Sequence, residues 1–127
     1  ADHFHRIGDT QSAAGVIRAA LRAHPRDPDL WVGLGNALVI HAGGMMTPAA
    51  ELAFQRASRL APDHPGPKFF YGLALAQSGK LQEAESLWRS VLLATPPDAE
   101  WRSIVEEKLQ LLAQVRARVA GMRGSRR

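Results

Sequence analysis

At 127 residues and 46% apolar content the chain is long enough for one compact core, and a single domain is expected. The lack of cysteine excludes disulfides and thiolate-held zinc or iron–sulfur sites, and leaves reducing and oxidising compartments equally open. The net charge of +4 belongs to the tail: Arg116, Arg118, Arg123, Arg126 and Arg127 supply five of the sixteen basic residues, so residues 1–115 carry eleven bases against twelve acids.

In chain order, the first apolar marks are Phe4, Ala13, Ile17 and Ala20, followed by Pro25. A shift of 37 residues places Ala13 on Ala50, Ile17 on Phe54, Ala20 on Ala57 and Pro25 on Pro62. The same shift places Leu34-Gly35 on Tyr71-Gly72 and Leu38 on Leu75, while a shift of 34 carries Ala50, Phe54, Ala57 and Pro62 onto Ala84, Trp88, Val91 and Pro96. The chain therefore holds three copies of one unit, and such a fixed period identifies a repeat architecture. Each unit reads as two amphipathic helices, the first broken by glycine and the second ending before a proline. From Leu38 to Ala50 is twelve residues, against nine from Phe4 to Ala13 and from Leu75 to Ala84, so the middle copy carries a three-residue insertion within residues 41–48. There Gly43-Gly44 can end a helix at positive φ, Thr47 can cap the next, and Pro48 suits its first turn.

The small residues Gly72 and Ala84 allow two backbones to approach, with Trp88 filling the space beside them. In the first copy Ala1 aligns with Gly35 and Gly72, so the chain is expected to begin inside a first helix, as a fragment of a longer parent. Beyond the third copy, Asp98 is the expected N-cap of a long helix whose stripe is Trp101, Ile104, Val105, Leu109, Leu112, Val115 and Val119. Such a helix closes the open end of a repeat stack. The expected organisation is all-α: a single domain over residues 1–121, with a truncated repeat 1–25, a repeat 28–62 holding the insertion, a repeat 65–96 and a capping helix 98–120, then a basic tail 122–127.

Chemistry-bearing constellations are sparse. His3, His5, His24, His41 and His64 are scattered, and His3 and His5, two apart, point to different sides of a helix, so no metal and no cofactor is expected. Gly33-Leu34-Gly35 lacks the preceding strand and third glycine of a dinucleotide loop. Ser12, Thr47, Ser58 and Ser78 sit in no glycine-flanked elbow, and Glu83, Glu85, Glu106 and Glu107 read as solvated helix faces, so no catalytic residue is assigned and no enzyme is expected. The arginine tail has no interleaved aromatics for base stacking, which disfavours nucleic acid. No uninterrupted apolar run approaches the roughly 18 residues of a membrane span, and Ala1-Asp2-His3 opens no signal peptide, so the fragment is not expected to insert into a membrane.

The series Leu34-Gly35, Leu38, Ala50, Phe54, Ala57, Pro62 and Tyr71-Gly72, Leu75, Gly79, Ala84, Trp88, Val91, Pro96 resembles the tetratricopeptide-repeat (TPR) signature. The resemblance implies an α-solenoid of antiparallel helix pairs whose concave groove is lined by first helices and binds a polypeptide. It assigns to that groove Asp29, Val32, Asn36, Val39 and Ile40, then Phe69, Leu73, Ala76 and Gln77, and in the truncated copy Asp2, His5 and Arg6. This mostly apolar row either receives an amphipathic helix or packs against residues 98–120 or a preceding part of the parent. Val32 and Phe69 stand where a carboxylate-clamping TPR has cations, which argues against a chaperone tail.

Gly43-Gly44-Met45-Met46-Thr47-Pro48, with Ala53-Phe54, Pro62-Asp63-His64-Pro65, the run Phe69 to Ala74, Trp88, Pro96 and Trp101, is more particular. It resembles the periplasmic TPR domain of the bacterial cytochrome c biogenesis factors called CcmI or CycH. That resemblance implies a chaperone for apocytochrome c that holds its C-terminal helix for haem-ligation complex subunits. It also implies a membrane-anchored parent and a periplasmic location, with the cytoplasm as the alternative. A TPR adaptor in another complex is the competing expectation.

Overall fold

The computed structural model describes the backbone of residues 2–125 and the side chains of residues 13–122. Among the described residues six helices follow one another: α1 (Asp2–Ala23), α2 (Pro28–His41), α3 (Pro48–Leu60), α4 (Pro65–Gln77), α5 (Leu81–Leu93) and α6 (Arg102–Ser125). Among the described residues there is no strand.

Local chemistry starts and stops these helices. Proline occupies the first turn of α2, α3 and α4, where its missing N–H is no loss. Each is preceded by a capping side chain: Asp27 accepts from the Asp29 N–H at 3.0 Å, Thr47 from Ala50 at 3.2 Å, and His64 Nδ1 from Gly66 at 3.0 Å. At the end of α2, Gly43 and Gly44 take φ of 71° and 92°, and their N–H groups return to the carbonyls of Ile40 and Val39. The end of α4 repeats the arrangement, with Gly79 at φ 81° and the Gly79 and Lys80 N–H groups on Ala76 and Leu75. Both are glycine-dependent stops that satisfy otherwise orphaned carbonyls.

Helices α2/α3 and α4/α5 form the antiparallel pairs, α1 packs on α2, and α4 lies against both α2 and α3. The same small-against-large device closes both pairs. A Cβ at Gly35 would stand 2.8 Å from the Phe54 ring, and one at Gly72 only 2.0 Å from Trp88 Nε1. Phe54 is wholly buried and Trp88 nearly so, with its indole N–H donating to the Phe69 carbonyl at 3.3 Å. The inserted connector also joins the units. The Met46 N–H donates to Ser78 Oγ at the end of α4, and the Met46 side chain packs against the core clusters of both pairs.

Tyr71 stacks on Phe54, ring centroids 5.5 Å apart, and donates its hydroxyl to Glu51 Oε1 at 3.0 Å. Burial, reinforced by the neighbouring Glu51 carboxylate, raises its pKa above the usual 10.0. Tyr71 is the chain's single tyrosine, so alkaline ultraviolet titration reads it alone. Its ionisation is expected above that of free tyrosine. The associated stability is complete below the unfolded-state value and is lost as pH rises through the folded one. A midpoint at or below the free value contradicts the stacked, hydrogen-bonded geometry.

Three features depart from the sequence reading. Helix α1 is continuous, where alignment with the later copies places a break between Phe4 and Ala13; the helical backbone runs through Gly8 without the positive-φ turn that stops α2 and α4. Asp98 does not cap α6. The Ala99 N–H turns back to Pro96 and the Arg102 N–H to Ala99, and α6 begins only at Arg102. The Arg102 guanidinium then donates to the carbonyls of Leu92 at 3.0 Å and Thr95 at 3.1 Å, tying the start of α6 to the end of α5. Finally, Glu85 is no solvated charge: it is 3% exposed and pairs with both Arg89 and Arg116. Arg116 therefore belongs to the α5–α6 contact and not to a solvated tail.

Candidate functional site

The first helices of the two pairs, α2 and α4, lie side by side, and α6 packs on α5. Of the residues assigned to a groove, Asp29, Ile40 and Gln77 are exposed, and Asn36, Phe69, Leu73 and Ala76 are half-buried. Val32 and Val39 are 8% and 4% exposed, inside a core with Ala50, Phe54, Ala57 and Ala74. They sit three residues before and four after Gly35, so they share the face that this glycine opens to Phe54. They are core residues with little surface to offer a partner. Asp2, His5 and Arg6 lie outside the residues whose side chains are described.

Phe69, Leu73 and Ala76 flank Gly72 in the same way. Phe69 stacks on Trp88 at 5.9 Å, and all three pack against the cluster that contains Val105 and Leu112 of α6. The apolar row on α4 thus packs into the α4–α5 core, whose cluster also takes in Val105 and Leu112 of α6.

An apolar cleft remains open at the start of α4 and α6. His64, Pro65, Gly66 and Phe69 form one wall and Trp101, Ile104 and Val105 the other, enclosing about 220 Å³. Ile104 is 49% exposed at its rim, and Phe70, 41% exposed, meets Phe69 edge to face. Trp101, Ile104 and Val105 are read from sequence only as capping residues. Their place beside the start of α4 follows from the packing of α6 on α5, which no periodic mark in the sequence announces.

This arrangement offers mainly apolar surface and shape. Among the described residues no three histidine or carboxylate side chains gather where a metal could sit, and no helix is long and apolar enough to cross a membrane.

Comparison with known proteins agrees with the geometry. The family profile of the tetratricopeptide repeat matches residues 1–43 and 47–100; it skips the middle of the connector and stops just before α6. The chain is 35% identical to the cytochrome c-type biogenesis protein CycH of Bradyrhizobium diazoefficiens over 106 residues, covering 84% of this chain and 29% of that protein. It is 36% identical to CycH of Rhizobium meliloti over 110 residues, again covering 29% of the relative. The chain therefore spans under a third of the length of these relatives. The translocator chaperone SycD of the Yersinia enterocolitica type III secretion system shares the fold, with a TM-score of 0.69 over 89% of this chain and 78% of its own at 19% identity. With paired helices, glycine–aromatic contacts and a profile match over most of its length, the chain belongs to the tetratricopeptide-repeat family, as a protein-interaction module related to the CycH proteins.

Proposed function

We propose that this domain holds a segment of an apocytochrome c during c-type cytochrome biogenesis, presenting it to haem-ligation subunits in the bacterial periplasm from a membrane-anchored parent. The observation that carries the reading is the similarity to two CycH proteins over more than four-fifths of the chain. The apolar cleft of Phe69, Trp101 and Ile104 supports it, because an amphipathic helix needs a pocket for a bulky anchor and a rim for its polar face. The contact set is Ile104, Phe69 and Leu73, with Asn36, Ile40, Ala76, Gln77 and Asp29 along the neighbouring first helices.

Isothermal titration of the domain with a synthetic C-terminal helix of an apocytochrome c tests this. Binding is expected, and Ile104→Ser combined with Ile40→Ser should weaken it about tenfold or more while helicity is unchanged. Both side chains are exposed, so the fold does not depend on them. No heat of binding, or equal affinity in the variant, rejects the reading.

A further inference from the structure

A second feature of α6 is used neither by its packing nor by the cleft alone. Ile104, Lys108, Leu111, Val115, Arg118 and Met122 recur at alternating spacings of four and three. That spacing draws one ridge along a helix, here roughly 27 Å long. Ile104, Leu111 and Val115 are 49%, 55% and 44% exposed. Among the described residues Lys108 and Arg118 make no ion pair, in contrast to Arg116, which is held by Glu85. Beyond Glu107 the sequence has no carboxylate at all.

We infer that this ridge is a docking strip for an amphipathic helix of another polypeptide, one that sets carboxylates opposite Lys108 and Arg118 and apolar side chains opposite Ile104, Leu111 and Val115. The inference extends the peptide-holding reading and shares its premise that the partner is helical.

A second copy of the chain is the poorer match in the two registers that keep the ridge on itself. Two parallel ridges would put Lys108 on Lys108 and Arg118 on Arg118. Antiparallel ridges with Leu111 facing Val115 would put Lys108 on Arg118. Cation meets cation in both registers, whereas a lone charged position in such a seam selects a partner of opposite sign. A lipid surface is the weaker match because the ridge begins at a pocket. Ile104 is both its first residue and a wall of the cleft of about 220 Å³. A protein cavity of about 150 Å³ already accommodates a benzene ring. A cavity of this kind receives one bulky side chain and gives a flat bilayer nothing to fill.

Two synthetic helices test the proposal, each about five turns long with leucines at four-three spacing, one carrying glutamates between them and the other lysines. The domain should bind the glutamate peptide about tenfold tighter than the lysine peptide. Lys108→Glu with Arg118→Glu should reverse that order, and Leu111→Ser with Val115→Ser should weaken both complexes at unchanged circular dichroism. Equal affinity for the two peptides, a preference untouched by charge reversal, or tighter binding to phosphatidylglycerol vesicles than to the glutamate peptide each overturns it. An apocytochrome helix bound equally by wild type and ridge variants removes this strip and leaves the holding function standing. Binding of the glutamate peptide without the apocytochrome helix does the reverse.

Discussion

Trp88→Ala is expected to lower unfolding stability by about 3–5 kcal/mol, a large part of what a domain of this size possesses. Trp88 is 2% exposed, stacks on Phe69, donates to its carbonyl and fills the space left by Gly72. Truncation removes the apolar contacts and also leaves a cavity between α4 and α5 that rigid helices close only partly. The converse substitution, Gly72→Ala, is expected to destabilise by about 1–3 kcal/mol, because its methyl group would stand 2.0 Å from Trp88 Nε1. The two effects are coupled. In the Trp88→Ala background the same alanine enters vacated space and gains about 1 kcal/mol of helix propensity over glycine, so the sign of the Gly72 effect should invert. Urea unfolding of the four proteins of this cycle measures it; additive losses would show that the glycine and the indole do not share one volume.

The second large effect is centred on Glu85. Its side chain is 4% exposed, while Arg89 and Arg116 are 66% and 41% exposed. Removing one arginine leaves the other to neutralise the carboxylate, so each single alanine variant should cost little. Removing both strands a buried anion, a situation that costs about 3–5 kcal/mol when no water or donor replaces the partners. The part-exposed guanidinium groups make the upper end of that range a ceiling. Glu85→Met with both arginines kept should be close to neutral, since each cation already reaches solvent. Denaturation curves of the three variant types, with hydrogen exchange along α6, distinguish these outcomes. A double variant as stable as either single one means that the carboxylate rehydrates by loosening α6, and exchange in α6 then accelerates.

The repeat was legible because its marks are local or periodic. Gly35 with Phe54 and Gly72 with Trp88 recur at a fixed shift, and the stops at Gly43-Gly44 and Gly79 and the Thr47 cap use residues whose backbone preferences are their own. What sequence could not supply depends on which neighbour covers a given face. Val32 and Val39 look no different in sequence from Ile40, yet two are core and one is 64% exposed, because only the first two share the stripe of Gly35. The pairing of Glu85 with Arg116 spans thirty-one residues and has no periodic mark. The start of α6 was displaced from Asp98 because the turns after Pro96-Pro97 and the grip of Arg102 on the end of α5 decide it. The cleft escapes the sequence for a related reason: Trp101 and Ile104 acquire their second role only when the start of α6 is brought against the start of α4.

In stacked helical repeats the curvature of the array follows from the small rotation between one unit and the next. In this chain the connector between α2 and α3 crosses that joint, with the Met46 backbone fastened to Ser78 and its side chain lodged in two cores at once. It ties the two units together across that step. The three-residue insertion of the middle copy is thus a fastening between neighbouring repeats, which a loop of the ordinary length in the other copies does not supply.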